Sequence, residues 1–240
     1  MNNTRQIKMF IGAMMVAAVG VAGYAGFKSH AMHTYFALAV LALAAATSRM
    51  KVKLPGINGN MSVNLPFLLT AVVNLSAMEA VVIACVSTAV QCWPKKNAKF
   101  NGQHMAFNLS MMAFASSFAS LMFHAARLTS VHSSMLGLVL ATLTLFLGQT
   151  APVAGIVAVS EGKAASFVWW SLAHLSFPYY VVSAGITTMV QAMSSHLGWG
   201  LALAVFPVMY GIHRSYRLYF SQIAQPASPD VLARTARAGA

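Results

Sequence analysis

The sequence predicts an all-α, polytopic integral membrane bundle of about eight transmembrane helices. Three observations predict it. Of the 240 residues, 58% are hydrophobic and only 8% are charged, against about 25% charged in an ordinary soluble domain. Apolar runs about twenty residues long recur from end to end, as membrane-spanning helices require. The basic residues fall in the short segments between those runs. A β-barrel is excluded because its strands would alternate over about ten residues, whereas these runs are continuous.

The first apolar run covers about 9–27, behind Arg5 and Lys8. Small residues at Ala22 and Gly23 give it some signal-peptide character, but its length favours a retained helix. The second covers about 32–48 and gives way to Arg49-Met50-Lys51-Val52-Lys53-Leu54-Pro55-Gly56, a basic stretch ending in turn residues. From Ser62 to Trp93 the apolar sequence is too long for one helix and is broken by polar residues between Asn74 and Glu79. It reads as two short helices, about 63–75 and 77–93, either re-entrant or buried among the others. Helices five to eight follow at about 104–124, 133–158, 166–192 and 197–219, with Pro178 kinking the seventh. Residues 1–222 form the membrane domain, and the tail 223–240, rich in Ala, Ser, Pro and Arg, reads as disordered.

With the amino terminus cytoplasmic and eight crossings, thirteen of the fifteen Lys and Arg lie inside, leaving only Lys28 and Arg127 outside. That asymmetry obeys the positive-inside rule and puts both termini in the cytoplasm. It also explains the net charge of +12 as attraction to anionic headgroups rather than to nucleic acid.

The chemistry available is narrow. The acids are Glu79, Glu161 and Asp230 alone, so acid–base catalysis and carboxylate metal sites lack their groups. No phosphate loop, zinc-protease motif or metal-type cysteine spacing occurs. Cys85 and Cys92 sit seven apart, about 10 Å along one helix, too far for a disulfide. The reading is therefore no enzyme, no resident metal and no cofactor.

Candidate ligand-binding residues are Glu79, Asn74, His174, Tyr179 and Tyr180. Glu79 is either a first-turn carboxylate in a cap with Ser76 or an intramembrane acid kept for function. His174 lies in the apolar body of helix seven, facing a ligand or bonding another helix. Tyr179 and Tyr180 adjoin Pro178, where they can line a pocket. Five of the eight histidines (His30, His33, His124, His132 and His196) fall near the outer face, as loop composition or as a pH or metal sensor. Small and hydroxyl residues on helix five, including Ser116, Ser117 and Ser120, suggest close packing with bonds across to other helices. The segments Leu65-Pro66-Phe67 to Val73 and Phe177-Pro178-Tyr179 to Gly185 are weakly alike, either by chance or as remnants of an internal repeat.

The stretch Arg49-x-Lys51-Val52-Lys53-Leu54-Pro55-Gly56, followed by Ser62-Val63-x-Leu65-Pro66-Phe67-Leu68-Leu69, Glu79-Ala80 and Val90-Gln91-x-Trp93, resembles bacterial membrane input regions. So does the end, Tyr210-x-x-x-Arg214-Ser215-Tyr216-Arg217-Leu218-Tyr219. Those regions precede cytoplasmic HD-GYP phosphodiesterase or diguanylate cyclase domains, and the chain contains no such output domain. The resemblance implies a sensory, ligand-binding domain in the bacterial inner membrane that signals to a separate cytoplasmic partner. The short-helix pair is also similar, more loosely, to the substrate-binding components of energy-coupling-factor transporters. That likeness implies the alternative, a small-solute transport component docked on an ATPase module.

Overall fold

The computed structural model describes residues 2–27, 34–53, 60–94, 100–127 and 133–197, with further positions between 207 and 218. Seven helices run in order: α1 Asn2–Phe27, α2 Thr34–Ser48, α3 Leu65–Asn74, α4 Ala77–Cys92, α5 Gly102–Arg127, α6 Ser133–Glu161 and α7 Ala165–Leu197. Three contain spans long and apolar enough to cross a membrane: Thr4–Phe27 in α1, Gly102–Ala126 in α5 and Met135–Glu161 in α6. α7 is the longest helix, but Ser171, His174, Ser176, Ser183, Thr187, Thr188 and Gln191 interrupt its apolar surface. Most of the eighth helix expected at 197–219 lies outside the described residues, and the described positions between 207 and 218 are helical and exposed. The described residues thus support seven helices, not eight crossings. The tail 223–240 is likewise outside them.

One element was not expected. The basic stretch after α2 forms a strand, β1 Lys51–Lys53, paired antiparallel with β2 Asn60–Ser62. The Val63 amide donates to Met50 O at 3.2 Å, carrying the ladder one pair further toward α3. This ribbon delivers the chain from α2 into the bundle.

The long helices surround a short one. α3 contacts α2, α4, α5, α6 and α7, and every residue from Leu65 to Val73 is buried. Ten residues make too short a helix to be stable alone in water, so packing holds it. The outward faces of the long helices are apolar instead: Val16 and Val19 of α1 are 75% and 74% exposed. That inside-out distribution is what a bilayer permits, because lipid tails solvate such side chains as well as a protein core does.

Small residues bring α5 and α6 together. A methyl group placed on Gly148 would lie 2.9 Å from Ala115 Cβ, closer than real carbon atoms sit, so glycine is required there. Among the described residues the helix-five hydroxyls bond within their own helix, contrary to the sequence expectation. Ser116 donates to Met112 O at 2.7 Å and Ser117 to Ala113 O at 2.6 Å. In apolar surroundings the carbonyl four residues back is the nearest acceptor, and the hydroxyl takes it.

The end of α6 is a Schellman stop. Gly162 has φ of 66°, which glycine adopts without strain, and the Lys163 amide donates to Ala158 O at 3.2 Å. Phe10 of α1 packs on Phe107 of α5, centroids 6.2 Å apart, and against Gly155 of α6. The start of α1, the start of α5 and the end of α6 therefore share one end of the bundle. Lys51 lies there as well, close enough to Cys92 and His104 to act on both electrostatically.

Candidate ligand-binding site

The sequence break between α3 and α4 is a complete capping box. Ser76 Oγ accepts from the Glu79 amide at 3.3 Å, and Glu79 Oε2 accepts from the Ser76 amide at 3.0 Å and from its hydroxyl at 2.7 Å. Two amides that a helix start leaves orphaned are thereby satisfied. Glu79 is buried, and its carboxylate is engaged in local structure. Ser76→Ala removes one side of the box and leaves the carboxylate without its hydroxyl donor. A loss of about 1 kcal/mol of stability is expected, read as a lowered unfolding midpoint in mild detergent; an unchanged midpoint contradicts the assignment.

Two other sequence candidates face outward. Asn74 is exposed and its amide returns to Thr70 O at 3.1 Å. His174 is exposed on α7, while its neighbours Leu172, Ala173 and Ser176 are buried. Its position in the α7 helical phase turns it away from the core formed by the described residues. Trp170, one helical turn earlier, shares that exposed face at 67%, whereas Trp169 turns inward and donates to Thr150 Oγ1 at 3.2 Å.

Tyr179 and Tyr180 do enter the core, at 2% and 5% exposure. Tyr180 meets Phe146 edge-on, centroids 5.1 Å apart, a packing contact. Tyr179 is the polar one. Its hydroxyl accepts from the Leu65 amide at 3.3 Å, the first residue of α3. One turn further along α7, Ser183 donates to Tyr179 O, and Thr187 donates to Ser183 O and, at 3.4 Å, to Pro66 O. The two weakly similar Pro-led segments thus pack against each other.

On the other side of the same helix start stands Asn64, buried at 5%. Its side chain makes no cap bond to α3 and donates instead to Ser87 Oγ of α4 at 3.3 Å. A polar seam of Asn64, Ser87, Tyr179, Ser183 and Thr187 therefore surrounds the beginning of a helix buried in the bundle. Sequence reasoning had only Tyr179 of these. Thr88 adjoins the seam at 2% exposure, and its hydroxyl has no hydrogen-bond partner among the described residues. Such a group costs about 1–3 kcal/mol when left unsatisfied.

The groups that meet in the seam among the described residues are amides and hydroxyls. Among the described residues no three His, Cys, Asp or Glu side chains come together to hold a metal. Its groups can orient a ligand by hydrogen bonds between apolar walls, and they can move with α7 at Pro178, where the missing amide interrupts the helix ladder. No known protein family matches the sequence, and neither curated proteins nor solved structures give a match.

Proposed function

We propose that this chain is a sensory, ligand-binding domain of the bacterial inner membrane, signalling to a separate cytoplasmic partner. The observation that carries the proposal is the buried polar seam at the start of α3, met by the proline-interrupted helix α7. Polar groups inside a membrane bundle are costly and are retained at sites of function. A ligand that bonds the seam changes the packing of α3 on α7, and α7 reaches the basic end of the bundle at Ala165, beside Lys163.

Arg5, Lys8, Arg49, Lys51 and Lys163 flank helix ends, and the positive-inside rule assigns those ends to the cytoplasm. In this reading Arg214 to Tyr219 is the output element next to the partner. No catalytic role is assigned to any residue.

A transport component is the second reading. It is favoured by the same half-length helix, because transporters build solute sites at interrupted helices near the bilayer midplane. Its partner would be an ATPase module.

Native mass spectrometry of the full chain, extracted in mild detergent, tests the binding proposal. The expected spectrum shows an adduct of defined mass on the wild type that is lost from Asn64→Ala and Tyr179→Phe, while His174→Ala keeps it. An adduct indifferent to Asn64 and Tyr179, or a bare protein from every preparation, contradicts it. A co-purifying ATPase subunit would decide for transport.

A further inference from the structure

Gln149 stands near the middle of α6 and points into the bundle. Gly148 before it touches Ala115 of α5. Thr150 after it bonds Trp169 of α7, and Phe146 one turn earlier meets Tyr180. Between the side of α6 that meets α5 and the side that meets α7 runs a stripe of Leu138, Thr142, Leu145 and Gln149, spaced as one helical face. The lipid side is another face, with Leu136, Leu143 and Leu147 exposed. Along the inward stripe Leu138, Thr142 and Leu145 are buried, whereas Gln149, Pro152, Val153 and Ile156 are only half-buried. The change falls where α3 begins. Leu65 meets Tyr179 and Pro66 meets Thr187, so α3 runs toward the carboxyl end of α7 and fills only that half of the interior. Gln149, level with the first turns of α7, lies on the other side of the α3 start.

The Gln149 Nε2 atom is buried and has no hydrogen-bond partner among the described residues. Gly148 O beside it loses its usual helical donor, because position 152 is proline. Polar groups at the depth of Ala115, the middle of α5, are costly in a bilayer and mark functional sites. A carboxamide presents donors and an acceptor in one plane, the complement of another amide or of a urea. Pro152, Val153 and Ile156 continue from it as apolar surface for about 10 Å toward the end of α6. Charged groups stand at other levels. α3 and α7 carry no Asp, Glu, Lys or Arg, and the one such residue on α6, Glu161, is paired with Lys163 at 2.6 Å. On α5 the only one is Arg127, at the far end. Arg5 and Lys8 precede Phe10, which packs on Gly155. Lys51 acts on His104, eleven positions before Ala115 and so about 16 Å away along α5. A charged group beside Gln149 would therefore lie buried with no counter-charge at its depth among the described residues, which is costly.

We propose that the Gln149 side chain, below the start of α3, binds the amide or urea group of a small uncharged solute that enters from the cytoplasmic end between α5, α6 and α7. This deepens the binding reading above and rests on it. The solute exchanges hydrogen bonds with the Gln149 carboxamide, and its apolar part lies against Val153 and Ile156.

The full chain in membrane vesicles is photolabelled with diazirine-bearing pentanamide and, separately, with the matching pentanoate and pentylamine. Crosslinks are mapped by mass spectrometry in the wild type and Gln149→Leu. Leucine keeps the bulk and removes the amide, and an unfolding midpoint that does not fall confirms folding. The expected result is pentanamide labelling within residues 145–157, about fivefold weaker in Gln149→Leu. Undiminished labelling in that variant overturns the Gln149 contact. Equal, Gln149-dependent labelling by pentanoate or pentylamine overturns the uncharged class. No labelling of α6 by any probe overturns the site, while the native adduct and its loss from Asn64→Ala decide the binding reading separately. The route has its own arm: Ile156→Cys, on a Cys85→Ser and Cys92→Ser background, is expected to react with a membrane-impermeant thiol reagent in inside-out vesicles and not in right-side-out ones. Reaction from the opposite side only, or from neither, overturns cytoplasmic entry.

Discussion

Leu69→Ala is expected to destabilise the protein by about 2–4 kcal/mol. Leu69 is the centre of α3 and has no exposed surface, with helices on every side. Removing its isobutyl group leaves a void that five packed helices cannot all close. In a bilayer the loss is one of contacts rather than of transfer from water, since lipid tails are as apolar as leucine. The control is Leu147→Ala on α6, where the side chain is 49% exposed on the outer face and lipid fills the gap. Unfolding of both variants in graded denaturing detergent, against the wild type, measures the difference. Equal, small effects would mean that α3 does not occupy the middle of the bundle.

Phe123→Ala is expected to cost about 3–5 kcal/mol. Phe123 is 1% exposed, and its ring closes the α5–α6 contact: a methyl on Gly137 would lie 3.0 Å from Phe123 Cδ2. The ring and the glycine are complementary, one filling the space the other vacates. Phe118→Ala, at 39% exposure on the same helix, should cost far less. Gly137→Ala should be destabilising beside Phe123 and less so beside Phe123→Ala, where only Phe123 O, 3.2 Å from the methyl, still crowds it, a coupling that thermal unfolding of the four combinations reveals. Additive effects would contradict the contact.

The helices were legible because apolar runs of this length have few alternatives. The ends of α2, α4 and α6 fall within three residues of their expected places. The break between α3 and α4 was legible for a different reason. Ser76 with Glu79 three residues on is a capping-box pattern, and it reads the same in sequence and structure. The ribbon was not legible: Lys51–Lys53 shows only three residues of alternation, and its partner Asn60–Ser62 carries no strand signal.

The seam was legible at one residue, Tyr179, through its place beside Pro178. Asn64 and Ser87 lie twenty-three positions apart, and only the antiparallel return of α4 along α3 brings them together. The outward direction of His174 and Asn74 was not legible, because it depends on helical phase, and helices apolar on all sides reveal little phase. The segments 65–73 and 177–185 that are weakly alike meet in the structure, Leu65 with Tyr179.

The central claim is that a short helix, with polar groups gathered at its start, is enclosed by the bundle. Amide hydrogen exchange of the full chain in lipid nanodiscs tests it most directly. The account predicts that peptides covering residues 65–73 exchange as slowly as those covering 107–123 of α5, because enclosure rather than intrinsic helix stability protects them. Exchange of 65–73 within seconds, while α5 remains protected, would place α3 at the membrane surface and contradict the account.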